Sequence, residues 1–168
     1  MSNKFFKFIC SGFGIGYIPI FPGTVASFVI LFPVWFFKEN FEKAHLILVI
    51  LILLFLSEIL ISKIIKYGEN KDPNFIVIDE FIGQACALVF CNQLIFDYIL
   101  AFVGFRVLDI FKPFPVNYFD KIKNSYGVLL DDLVAGLIIA IFFLIGPPDS
   151  FADRSMVPWV LLAMTCPI

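Results

Sequence analysis

Histidine is almost missing from these 168 residues: His45 is the only one. It falls at the start of a long apolar run, far from every acidic motif, which argues against a histidine nucleophile. Charge is scarce too, at 15% of residues, and 12 Lys+Arg against 14 Asp+Glu leave a formal net charge of −2. Nucleic-acid binding needs a basic surplus, so that class is excluded. The four cysteines, Cys10, Cys86, Cys91 and Cys166, make no CxxC pair, and none is followed six residues later by arginine. A zinc or dithiol motif and a Cys-x5-Arg phosphatase loop are both missing. Cys86 and Cys91 read as small core residues. There is no Asp-x-Asp pair, no GxxxxGK loop and no repeat of fixed period. Those absences remove aspartyl-phosphate enzymes of that pattern and P-loop proteins. Met1 to Cys10 holds two lysines but no long apolar stretch, so it is not read as a signal peptide.

Apolar sequence is what the chain has in excess. It is 61% hydrophobic, with a mean hydropathy of +0.97, where a soluble domain runs at roughly 45–50% apolar. Thr24–Phe37 is apolar but short. Ala44–Ile65 supplies about twenty apolar residues, enough to span roughly 30 Å of hydrocarbon. Phe81–Ile110 is interrupted by Asn92-Gln93 and Asp97 and predicts a helical hairpin or a bent helix pair. Leu133–Ile145 is ended by Gly146-Pro147-Pro148. Lipid tolerates only helices and closed barrels, and barrel alternation is missing. The expectation is an all-α, polytopic membrane protein of about four membrane helices, with a weak fifth segment at Met156–Ile168. Residues 1–146 read as the membrane domain and 147–168 as a tail of unassigned role.

Charge orients the bundle. With the N-terminus, the 63–80 loop and the 105–132 segment on one side, that side holds Lys4, Lys7, Lys63, Lys66, Lys71, Arg106, Lys112, Lys121 and Lys123. The other holds Lys38, Lys43 and Arg154. The nine-to-three split makes the first side cytoplasmic.

Four motifs fall on that side. Gly12 to Thr24 alternates glycine with apolar residues and closes on Pro22-Gly23-Thr24. Thr24 is placed to cap the following helix, whose N–H groups would cradle a phosphate; the plain reading is a loop leading into a membrane helix. Asp79-Glu80 opens an apolar helix, with Gly83 leaving room beside it. Acids at a helix start are favourable in any case, yet at membrane depth they are costly unless paired or bound to metal. Arg106, Asp109 and Lys112 are spaced i, i+3, i+6 before Pro113 and Pro115: either an interfacial ion-pair ladder or two cations for a phosphate and an acid for a metal. Asp131-Asp132 precedes Gly136, again either a helix-start charge pair or ligands. Five carboxylates on one side would repel unless a cation held them. Oxygen-only ligation favours Mg²⁺, Mn²⁺ or Ca²⁺, and carboxylates, Mg²⁺, Arg and Lys suit chemistry at a phosphoryl group. Two further membrane acids, Glu58 and Asp97, read as interfacial or paired rather than catalytic, with Lys63 or Lys66 available to Glu58.

The motifs GFGIGYIPIFPGT, DPNFIVIDEFIG, FRVLDIFKPFP with the following Phe119-Asp120-Lys121, and GVLLDDLVAG occur in that order between Gly12 and Gly146. Together they resemble the phosphatidylglycerophosphatase A family of bacterial membrane enzymes. Ala26 and Ser125-Tyr126 stand where the family pattern is richer in glycine. The resemblance implies Mg²⁺-dependent hydrolysis of the phospholipid phosphatidylglycerophosphate at the cytoplasmic face of the inner membrane. It implies that Asp79, Glu80, Asp109, Asp131 and Asp132 are the catalytic acids, with Asp79, Glu80, Asp131 and Asp132 holding metal. Arg106 and Lys112, with Gly23 and Thr24, would bind the phosphate. The rival from another class is a small transporter or ion-binding protein whose acids line a pathway across the bilayer. The rival within the class is a lipid phosphatase for another head group.

Overall fold

The computed structural model describes residues 3–66, 75–122 and 125–146. Lys71, Asp72, Lys123, Arg154, Cys166 and the expected segment at 156–168 lie outside the described residues, as does the side chain of Lys66. The described residues are all helical, without a strand. The helices are α1 (Asn3–Cys10), α2 (Pro22–Val29), α3 (Leu31–Asn40), α4 (Lys43–Lys66), α5 (Ile78–Ala87), α6 (Ile95–Phe111), α7 (Val116–Asp120) and α8 (Ser125–Ile145), with a single 3-10 turn at Ile15–Tyr17.

Among the described residues, two helices, Lys43–Ile64 within α4 and Ser125–Ile145 of α8, are long and apolar enough to cross a membrane. A core helix of a soluble protein passes the same length test but is covered by its neighbours. Here only 22% and 39% of their most apolar windows are buried. On α4 the buried stripe is Leu46, Ile50, Ser57, Ile61 and Ile64, at helical spacing, while Leu48, Leu51, Phe55 and Leu56 are exposed. So broad an apolar surface is stable only against lipid or another apolar partner.

The other apolar stretches are divided. The expected span at Thr24–Phe37 becomes α2 and α3, of 8 and 10 residues. Phe81–Ile110 is a helix pair broken beside Asn92-Gln93, as its polar interruption predicts, but α5 has only 10 residues and is buried along most of its length. It is too short to cross a bilayer and serves as an internal strut. α6 has 17 residues.

The α5–α6 break is held by buried polar contacts. Lys38 Nζ donates to the carbonyl of Leu88, at 2.7 Å, and to that of Cys91, so this lysine turns inward. Asp97 is paired, as expected, accepting from Asn92 Nδ2 at 3.1 Å. Glu58 is paired too, though its partner is Ser125 on α8, whose hydroxyl donates to Oε1 at 2.8 Å. Lys63 instead lies over the Phe6 ring.

The close approach of α5 and α8 positions everything that follows. A Cβ on Gly136 would lie 2.2 Å from the carbonyl oxygen of Gly83, and one on Gly83 would lie 2.7 Å from the carbonyl oxygen of Asp132. Asp79 precedes Gly83 by one helical turn, as Asp132 precedes Gly136. Each acid therefore shares a face with the glycine at which the backbones meet.

Candidate active site

α8 begins at Ser125, eight residues before the apolar run at Leu133. Asp131 and Asp132 are therefore its seventh and eighth residues and do not open a helix. The helix dipole, felt mainly within the first turn, is no longer what stabilises them. Both are nevertheless buried, at 6% and 4% exposure, and Asp79 is buried at 7%. Buried carboxylates demand partners or a cation.

Asp79, Glu80 and Asp132 each place a carboxylate oxygen within 4.8 Å of the other two. Burial pushes the Asp79 carboxyl up to about 6; the hydrogen bond from Glu80 opposes the rise and the charge of Asp131 adds to it. Burial also raises Glu80 well above the ordinary carboxylate range, with the Asp79 and Asp109 charges adding to the rise and Arg106 opposing it. Glu80 Oε2 is buried without a hydrogen-bond partner. This is a pocket of oxygen donors with more acidic groups than cations beside it.

The other four charged residues expected at the site lie around the trio. Arg106 Nη1 pairs with Asp109 Oδ2 at 2.6 Å and lies 3.4 Å from Ser27 Oγ. Its Nε is buried without an acceptor. Asp131 is not in the trio. Adjacent helical residues point about 100° apart, so its Oδ2 turns to Lys112 Nζ at 2.7 Å, while Oδ1 is buried without a partner. Lys112 also contacts Asp120. Burial alone would lower the Lys112 ammonium, but its hydrogen bonds to Asp120 and Asp131 outweigh that and hold it above the ordinary lysine range. Lys112 thus does not complete a ladder with Arg106 and Asp109. It is the left-handed C-cap of α6, with φ 44°, and reaches across to α7 and α8.

The glycine-rich loop meets this cluster at one point. A Cβ on Gly23 would lie 2.2 Å from Glu80 Oε1 and 3.4 Å from Arg106 Nη1, so any larger residue would push the Glu80 carboxylate out of its present position. Thr24 does not cap α2. Phe21 takes the cap position in a left-handed conformation, Pro22 starts the helix and no side-chain cap bond forms. Proline at the first turn does this work by fixing φ. Further back, Gly12 and Gly16 pack against Phe81 and the Phe75 backbone. They set the loop on the start of α5.

Two participants carried no assigned role in the sequence. Ser27 stands one turn after Gly23, accepts from Arg106 and donates to the Gly23 carbonyl at 2.9 Å. Asp120 belongs to the Phe119-Asp120-Lys121 motif, and the proline-bounded turn at 113–115 brings it back to Lys112. Serine at i+4 from a motif glycine was a readable signal for the first; the second needed the turn.

Arg106→Lys should lower turnover by about ten- to a hundred-fold, because an ammonium cannot reach Asp109, Ser27 and an anion with one planar fork. Thermal stability should change little. Steady-state kinetics beside a melting curve checks both.

A family model described as Phosphatidylglycerophosphatase A matches residues 8–146. Phosphatidylglycerophosphatase A of Escherichia coli (strain K12) is 34% identical over 149 residues, covering 87% of this chain and 86% of the relative. The protein of the same description from Haemophilus influenzae is 37% identical over 136 residues, 78% of this chain and 83% of the relative. A Bacteroides thetaiotaomicron protein, provisionally named a phosphatidylinositol-3-phosphatase, is 30% identical over 135 residues, 77% and 85% of the two chains. No solved structure matches. With the match covering nearly the whole described length and every acid of the cluster inside it, the chain belongs to the phosphatidylglycerophosphatase A family and is a lipid phosphatase.

Proposed function

We propose that the chain hydrolyses phosphatidylglycerophosphate to phosphatidylglycerol and inorganic phosphate with the help of Mg²⁺. The proposed setting is the cytoplasmic leaflet of the inner membrane, in a multi-pass arrangement built on α4 and α8. The observation that carries this reading is the buried Asp79–Glu80–Asp132 trio with its partnerless Glu80 oxygen.

The residues fit a hard divalent cation. Every donor is oxygen, the trio gathers three acids with Arg106 as the cation acting on Glu80, and one acceptor atom lacks a donor. Asp79, Glu80 and Asp132 would hold it, with Asp131 offering Oδ1. A bound Mg²⁺ supplies charge neutralisation at a phosphoryl group and acidifies water. The chain's own side chains do the rest. Arg106 and Lys112 face the phosphate oxygens, and the start of α2 at Gly23-Thr24 presents backbone N–H groups. Asp109, steadied by Arg106, orients the attacking water and takes its proton. Asp131 and Asp120 hold Lys112 in place.

Asp79 and Glu80 lie in the first turn of α5 and Asp109 in the last turn of α6, a placement that suits surface chemistry better than a transport path. The Bacteroides relative keeps a second head group, a phosphoinositide, in view. Phosphate release from phosphatidylglycerophosphate, phosphatidate and phosphatidylinositol 3-phosphate in mixed micelles decides between them. The expected outcome is a preference of about ten-fold or more for phosphatidylglycerophosphate. A preference for the phosphoinositide would reassign the head group.

A further inference from the structure

Below the acids, α4, α5 and α8 enclose a groove of about 270 Å³, open along one side. Its walls include Ile47 and Leu54 of α4, Cys86 of α5, Phe90 just beyond it, and Leu137 and Ala140 of α8. Every lining residue is apolar or cysteine. The geometry points to this groove as the seat of one acyl chain of the substrate phospholipid, an inference that rests on the proposed lipid-phosphatase reading.

Position is the first argument. The groove lies on the same helices that carry the acid trio. Its α8 wall starts at Leu133, the residue after Asp132, and runs to Ala140, about 10 Å further along at 1.5 Å per residue. On α5, Cys86 lies six residues beyond Glu80, about 9 Å further along the same axis. A lipid whose phosphate sits among the acids has its chains at this depth.

Surroundings are the second. α4 and α8 are the two helices able to cross a membrane, and the groove opens between residues that face hydrocarbon. Water has no polar partner there and would not occupy it.

Size is the third. The volume exceeds the roughly 150 Å³ that holds a benzene ring, yet lies just below the usual range for pockets enclosing a whole ligand, roughly 300–1,000 Å³. A helix, roughly 10–12 Å across with its side chains, could insert only a side chain or two. A segment of one hydrocarbon chain fits, with the rest in the bilayer through the open side. Because lipid tails are as apolar as the wall, burial gives no hydrophobic gain. Selectivity must come from shape, and from tethering the glycerol backbone beside the acids.

The test uses full-length protein in vesicles containing phosphatidylglycerophosphate with a diazirine midway along one chain, followed by peptide mapping. Expected adducts fall on 86–90 and 133–140, are competed by unlabelled substrate, and are not reproduced by diazirine phosphatidylcholine. Equal labelling by phosphatidylcholine would overturn the inference, since the groove would then hold bulk lipid. Adducts only on the outer face of α4, or protection of the groove by residues 147–168 or by a second copy, would overturn it as well. Kinetics provide a separate readout. Ala140→Phe, which fills the groove, should lower kcat/KM for the dioleoyl substrate by about ten-fold while sparing the dihexanoyl one. Leu137→Phe, on a half-exposed position, should do the same more weakly if Ala140→Phe does not fold. Equal losses on both substrates would contradict the inference. Wild-type protein that releases phosphate from neither substrate would instead contradict the proposed function, so the two failures are distinguishable.

Discussion

Asp132→Asn should lower the rate of phosphate release by about a thousand-fold or more, while raising the melting temperature in chelator by about 2–4 °C. The two signs come from one cause. Asp132 is buried at 4% exposure within reach of Asp79 and Glu80, and among the described residues no salt bridge joins a cation to the trio. Removing one ionisable carboxyl relieves the crowding around Asp79 and Glu80, whose carboxyls are held above their ordinary range in the metal-free fold, and it also removes a ligand from the proposed cation site. A residue placed there for structure alone would show the opposite pattern, a lower melting temperature with activity largely kept. Mg²⁺ should raise the melting temperature of the wild type by mass action, and should do so far less for Asp132→Asn. Differential scanning calorimetry with and without Mg²⁺, beside a phosphate assay, reads both effects.

Gly136→Ala should destabilise the protein by about 3 kcal/mol or more and remove activity with it. The added Cβ would lie 2.2 Å from the Gly83 carbonyl oxygen and 3.2 Å from the Cys86 Cβ. Backbone cannot turn aside as a long side chain can, so α5 and α8 must separate. Separation moves Asp79 and Glu80 away from Asp132, because each acid lies one turn before its contact glycine. Gly104→Ala offers a control: its Cβ would meet the flexible end of Ile139 at 2.9 Å, so its cost should be smaller. Urea or thermal unfolding of the three proteins in detergent checks the order.

Much of this arrangement was legible in the residues. The length and apolarity of α4, the polar break at Asn92-Gln93 and the paired acids each carry their own physical signal. The start of α8 did not, because Gly127 and the two acids interrupt its apolar pattern: Ser125 to Asp132 is helical through packing against α5, α7 and Glu58, which hydropathy does not register. The separate roles of Asp131 and Asp132 were hidden for a similar reason. Two adjacent acids look alike in sequence, and only helix rotation sends one to Lys112 and the other to the trio. Lys112 itself read as part of a helical ladder. The left-handed cap and the proline turn that redirect it involve residues 112–120, whose path depends on where α7 docks.

The central claim is that these buried acids form a divalent-cation centre for hydrolysis of a lipid phosphomonoester. Its most direct test is phosphate release from phosphatidylglycerophosphate by the purified protein, measured across a Mg²⁺ titration after exhaustive chelation. The expected result is no release without metal and saturable recovery as Mg²⁺ is added. Full activity in the chelated protein would contradict it.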